Sequence, residues 1–92
     1  MITKIEEKII RQCARKYNLL AILLFGSSLE KGRRHADIND IDLAVKGVKA
    51  ESFFYFYAEL FKRLSKPVDL IDLSKKSLFN ELIEETGERI YG

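Results

Sequence analysis

The sequence predicts an α/β layer fold of the α+β kind, in which helices flank a small mixed sheet. Three observations carry this. Segments with helical apolar spacing alternate with short strand-like runs along all 92 residues. Capping and turn residues (Thr3, Asn18, Gly26, Gly47, Pro67, Gly87) punctuate the changeovers. Residues 19–25 form a nearly continuous apolar run, the mark of a buried strand.

Taken in order, Thr3 with Glu6 makes a Ser/Thr-x-x-Glu capping box, and Ile2, Ile5, Ile9, Ile10, Cys13 and Tyr17 recur at helical spacing. Residues 3–17 are therefore expected to form an amphipathic helix. Asn18 is its expected stop, because asparagine tolerates the left-handed backbone. The apolar run 19–25 ends in Gly26, and residues 27–32 suit a short helix before a polar loop. Residues 40–46 alternate as a strand with one acidic edge. Residues 51–64 form a second amphipathic helix after the loop 47–50. Pro67 opens a strand over 68–73, where its missing N–H is tolerated. Ser74 is expected to cap a helix over 75–85 that Gly87 ends, and residues 88–91 make a last short strand.

A chain of 92 residues supports one domain with one core, burying around 60–65% of its unfolded surface. Apolar residues make up 47% and charged residues 33%, a globular composition. The formal net charge of +2 is too mild to argue for nucleic acid or membrane binding by bulk electrostatics. Cys13 is the single cysteine, which precludes an intramolecular disulfide and suits a reducing cytosol. No apolar run approaches the ~20 residues of a membrane span, and the N-terminus lacks the apolar segment of a signal peptide. The expected location is cytoplasmic.

Gly26-Ser27 stands where a buried strand hands over to a helix. Glycine lets a backbone approach closely, the hydroxyl donates, and a helix N-terminus offers free N–H groups, so the turn suits phosphate. A lone Gly-Ser pair is nevertheless most often a plain turn. Asp40 and Asp42 lie two apart on a strand, so both leave the same face while Ile41, Leu43 and Val45 point into the core. Two close carboxylates repel, and a divalent cation relieves the repulsion. Magnesium takes one or two carboxylates, with waters and substrate phosphates filling its octahedron. Asp69, between Val68 and Leu70, supplies a third acid, and an acid inside an apolar strand is costly unless paired or bound to metal. Asp72 competes with it, but three residues on it faces the other side, and strand parity favours Asp69.

Together LLFGSSLEKGRRHADINDIDLAV and PVDLIDL resemble the minimal nucleotidyltransferases of the DNA polymerase β superfamily, whose signature is Gly-Ser, a spacer, Asp-x-Asp and a third acid on a later strand. The closing GERIYG matches that family's last glycine-hydrophobic-tyrosine strand, so the resemblance covers nearly the whole chain. It implies a polymerase β palm-like fold and magnesium-dependent nucleotidyl transfer from ATP. Asp40, Asp42 and Asp69 would be the catalytic, metal-holding acids for two magnesium ions. Gly26 and Ser27 would seat the β- and γ-phosphates. Lys31, Arg33 and Arg34 form a basic loop beside the site, with triphosphate contact one reading, for Arg33 and Arg34 above all, and a solvated loop the other. His35, the one histidine, reads as solvated, and Cys13 as a small core residue.

The spacer from Ser27 to Asp40 holds twelve residues, longer than the common pattern, and Ser28 and Glu30 stand where relatives often carry bases. A register using Asp37 and Asn39 fits less well, because asparagine is the poorer metal ligand. The 51–64 helix spreads its aromatic and aliphatic residues over an arc of roughly 200°, wider than one core face needs. Either the helix sinks deeply, or part of the arc, especially Phe54 and Ala58, meets another chain, a second copy included. Three functions stay in play. The first is AMP transfer to a tyrosine of a small helical HEPN-type toxin, with this chain as its antitoxin. The second is an antitoxin that neutralises by contact alone. A small-molecule transferase ranks last, because the chain is expected to lack an acceptor-holding domain.

Overall fold

The computed structural model describes residues 2–26 and 40–92. Helix α1 (Lys4–Lys16) opens on the capping box that the sequence predicts: Glu6 N–H donates to Thr3 Oγ1 at 3.1 Å and Thr3 N–H to Glu6 Oε1 at 2.9 Å. That reciprocal pairing is why Glu6 can be buried. The helix closes at Asn18, whose φ of 58° is the left-handed conformation expected of it.

Strands β1 (Ala21–Leu24), β2 (Ile41–Lys46), β3 (Val68–Asp72) and β4 (Glu88–Tyr91) form one sheet in the order β3-β2-β1-β4. The β1 strand pairs antiparallel with both β2 and β4, and β2 pairs parallel with β3. The sheet is thus mixed, as predicted. All four β1 residues are buried because helices cover both faces. Ile22, Leu24, Ile41, Leu43 and Val45 face α1 and helix α2 (Ala50–Arg63), meeting Ile10, Phe56 and Leu60. Leu23 and Ala44 face helix α3 (Leu78–Thr86), meeting Ile83 and, beyond β3, Leu73.

One expectation needs correcting. Ser74 does not cap α3. Its N–H donates to Asp72 Oδ1 at 2.9 Å in a turn, and Ser77 caps instead, its hydroxyl accepting from Asn80 N–H at 3.0 Å. The Asn80 amide fastens that turn by donating to the carbonyls of Asp72 and Lys75. Of the arc on α2 that the sequence left open, the fold covers only part: Phe56, Leu60 and Leu64 are buried, while Phe54 and Phe61 remain 72% and 60% exposed. The expected helix over 27–32 lies outside the described residues. Among the described residues no helix is long and apolar enough to cross a membrane.

A polar seam joins α1 to α2. Half-buried Glu59 accepts from Lys16 Nζ at 2.7 Å and Tyr17 Oη at 3.2 Å, and lies 3.4 Å from Arg63. The Lys16 bond above all holds the Glu59 carboxyl below its ordinary value; burial opposes it, and the Tyr17 bond and the Lys16 charge add to the lowering. Cys13 is buried under this seam, and burial first, then the Glu59 charge, pushes its thiol up. It is a core residue and not a poised nucleophile.

Candidate active site

Parallel pairing of β2 and β3 sets Asp42 directly beside Asp69. Neighbouring strands lie about 4.8 Å apart. Both acids have the parity of Ala44, so they share the sheet face that α3 partly covers. Asp42 is half-buried and Asp69 exposed. Two full charges about 5 Å apart repel by about 1 kcal/mol in a water-like surrounding and by about 3 at an effective dielectric of 20.

Asp69 reaches this place for a different reason than burial cost. The β3 strand is an edge of the sheet, so its acid meets solvent and needs no partner to be tolerated. Asp72 pairs in register with Val45, on the parity of the opposite face, and its carboxylate is engaged by the Ser74 N–H. Asp40 is exposed just ahead of β2, where the Ile41 N–H bond to Pro67 O at 2.9 Å ties the two strand entrances together. Asp40 does not close a three-acid cluster: among the described residues no group of three or more His, Cys, Asp or Glu is placed to hold a metal ion. The adjacent pair Asp42 and Asp69 still matches magnesium's habit of taking two carboxylates and completing its shell from water and phosphate.

Gly26 is pressed against Asp42. Its φ is 64°, and a Cβ built on it would stand 2.5 Å from Asp42 Oδ2. Glycine is required twice there, for the left-handed backbone and for the room that the carboxylate occupies. Phe25 N–H donates to Asp42 O at 3.1 Å, extending the β1–β2 ladder by one step. Phe25 therefore stands opposite Asp42 on the same face, a neighbour that the residue types alone did not disclose. Ser27, Arg33 and Arg34, with Glu30, Lys31 and His35, lie outside the described residues.

Two grooves open elsewhere. One of about 510 Å³ lies between α2 and β3, lined by Phe53, Leu70 and Lys75 among others. One of about 310 Å³ is ringed by Arg11, Arg15 and Arg89. Neither is lined by Asp40, Asp42 or Asp69.

A family profile described as "Polymerase beta, Nucleotidyltransferase" matches residues 7–92. No curated protein matches the sequence significantly. Among solved structures, a toxin–antitoxin complex with AMP-PNP is 26% identical, over 94% of this chain and 73% of that one, with a TM-score of 0.71. An MntA–HpeT toxin–antitoxin mutant, with two aspartates two positions apart changed to glutamate, is 28% identical over 95% and 72%, with a TM-score of 0.69. A protein from Shewanella oneidensis shares the fold at 20% identity over 99% and 73%, with a TM-score of 0.72.

Proposed function

The chain belongs to the polymerase β nucleotidyltransferase family, and we propose that it transfers AMP from ATP, with magnesium, to a tyrosine of a HEPN-type toxin for which it is the antitoxin. The observation that carries this reading is Asp42 beside Asp69 with Gly26 held against the Asp42 carboxylate. The toxin–antitoxin relatives support the biological setting, and the AMP-PNP complex supports an adenine nucleotide as donor. The relative altered at two aspartates two positions apart parallels Asp40 and Asp42 here.

Asp42 and Asp69 would hold the metal, joined by Asp40 from the strand entrance. Magnesium bound there supplies charge neutralisation for the triphosphate and for the leaving pyrophosphate. Gly26 leaves its backbone open to the phosphates, and Ser27, Arg33 and Arg34 would seat them. The tyrosine oxygen attacks the α-phosphorus, and the bond from that phosphorus to the bridging oxygen breaks. Pyrophosphate leaves with the bonding pair, and the phenolic proton passes to water, or to Asp69 if that carboxylate serves as base in place of metal ligand. Tyrosine suits the role because its pKa near ~10 lies far below that of an aliphatic alcohol. Most of the acceleration comes from positioning and electrostatics.

A second reading, neutralisation by contact alone, is supported by the exposed apolar face of α2 at Phe54 and Phe61. The two readings separate cleanly. Incubating the protein with the toxin encoded beside it, ATP and magnesium should add AMP-sized mass to the toxin. Asp42→Asn should abolish the addition. If that variant neutralises the toxin equally well and no mass is added under any condition, the contact reading wins.

A further inference from the structure

Beside the acids lies an aromatic pair that phosphate chemistry does not use. Phe25 stands opposite Asp42, with antiparallel partners about 5 Å apart at Cα. It packs against the small cluster of Leu23, Ala44, Leu73 and Ile83 that joins the sheet to α3, so its ring is fixed from below. Phe79, in the first turn of α3, meets it with ring planes 85° apart and centroids separated by 6.1 Å. Even so, Phe79 remains 54% exposed. An aromatic ring braced on one side and open on the other presents its π-face to a flat partner without first having to be ordered.

We infer that Phe79, held by Phe25, is the platform on which the base of the nucleotide stacks. This rests on the reading of Asp42 and Asp69 as the acids that receive the phosphates. The pairing of Phe25 with Asp42 and the ring contact of Phe25 with Phe79 put the open ring one neighbour beyond the carboxylates, on the sheet face that they share. The phosphate end is then read by charge and the base end by stacking. Stacking accepts any base, because every base has a π-face.

The chain contains no tryptophan, so Phe79→Trp installs a single fluorescent reporter. ATP with magnesium should quench its emission, and inorganic tripolyphosphate with magnesium should not. Phe79→Ala should weaken ATP binding by about 5- to 150-fold, the range that stacking one base on an aromatic ring supplies, and leave tripolyphosphate affinity unchanged. Leu78, one position away and 86% exposed, is the control, and Leu78→Ala should change neither affinity. A thermal melt within a few degrees of the parent shows that Phe79→Ala is folded, as expected for so exposed a side chain. Unchanged ATP affinity in Phe79→Ala, or an equal loss for both ligands, overturns the platform and leaves the phosphate site standing. If the unsubstituted protein binds neither ligand, the transferase reading fails and the platform falls with it.

Discussion

Replacing Gly26 by alanine tests the candidate site more sharply than removing an acid, because the structure supplies its own control. Gly26 and Gly47 both have left-handed backbones, at φ 64° and 83°, and they follow opposite ends of the β1–β2 pair. Alanine in that conformation costs about 1–2 kcal/mol. For a domain of this size each kcal/mol lowers Tm by roughly 4–8 °C, so either variant should melt about 4–16 °C below the parent. Their surroundings then separate them. The new methyl of Gly47→Ala meets Leu20 Cγ at 2.5 Å and Cβ at 2.9 Å, an added strain at the end of the pair away from the acids, so it lowers stability without displacing the carboxylates. The new methyl of Gly26→Ala starts 2.5 Å from Asp42 Oδ2, so the carboxylate must retreat by nearly an ångström to reach ordinary contact. A displacement of about 1 Å at reacting groups costs on the order of a hundredfold in rate. Calorimetric titration with ATP and magnesium, together with the mass assay on the toxin, should therefore find Gly47→Ala close to the parent and Gly26→Ala nearly inactive at matched fractions folded. If the two variants bind and transfer alike, the approach of Gly26 to Asp42 has no functional meaning.

Three further outcomes are expected. Phe56→Ala empties a wholly buried position and should cost about 3–5 kcal/mol in chemical denaturation, whereas Phe54→Ala, at an exposed position on the same helix, should stay within about 0.5 kcal/mol of the parent. Ser77→Ala should destabilise by about 1 kcal/mol through loss of the α3 cap, and Ser74→Ala, which leaves the backbone N–H bond to Asp72 intact, should be near neutral. Because Lys16, ahead of Tyr17, holds Glu59 below its ordinary carboxyl value, the stability that it contributes is present above that value and lost as pH falls through the lower, folded one. Acid denaturation curves of Glu59→Gln should lose this slope. A variant that tracks the parent throughout the acid range would remove Glu59 from the account.

Local chemistry was legible where it was self-contained. The Thr3–Glu6 box, the left-handed Asn18 and the unbroken apolar run of β1 each follow from a few adjacent residues, and the structure has all three. The spacing of Asp40 and Asp42 predicts a shared face, and in the structure Asp40 lies exposed just ahead of β2. The start of α3 was not legible, since Ser74 and Ser77 are equally good caps by type and only the Asp72 carboxylate, by taking the Ser74 N–H, decides between them. Asp69 was picked out on parity and on a burial cost that the structure does not impose, because strand order is a long-range property that makes β3 an edge. The same limit hid the Phe25–Phe79 contact, which exists only once α3 has folded back across the sheet. The exposure of Phe54 was open from the helical wheel, because a wide apolar arc does not say which part of it the fold will cover.

The parallel join between β2 and β3 has a mechanical side. Asp42 belongs to an interior strand and Asp69 to the sheet's margin, and α2 is the chain that links them. An outermost strand is held on one side only, so its opening needs less than global unfolding. Whatever bridges the two acids therefore acts as a rivet across the last seam of the sheet, and must oppose the peeling of β3. Occupancy of the site is then written into the backbone amides of residues 68–72, whose hydrogen exchange would slow as the bridge forms. A ligand held there for its charge would become, for this sheet, a structural member.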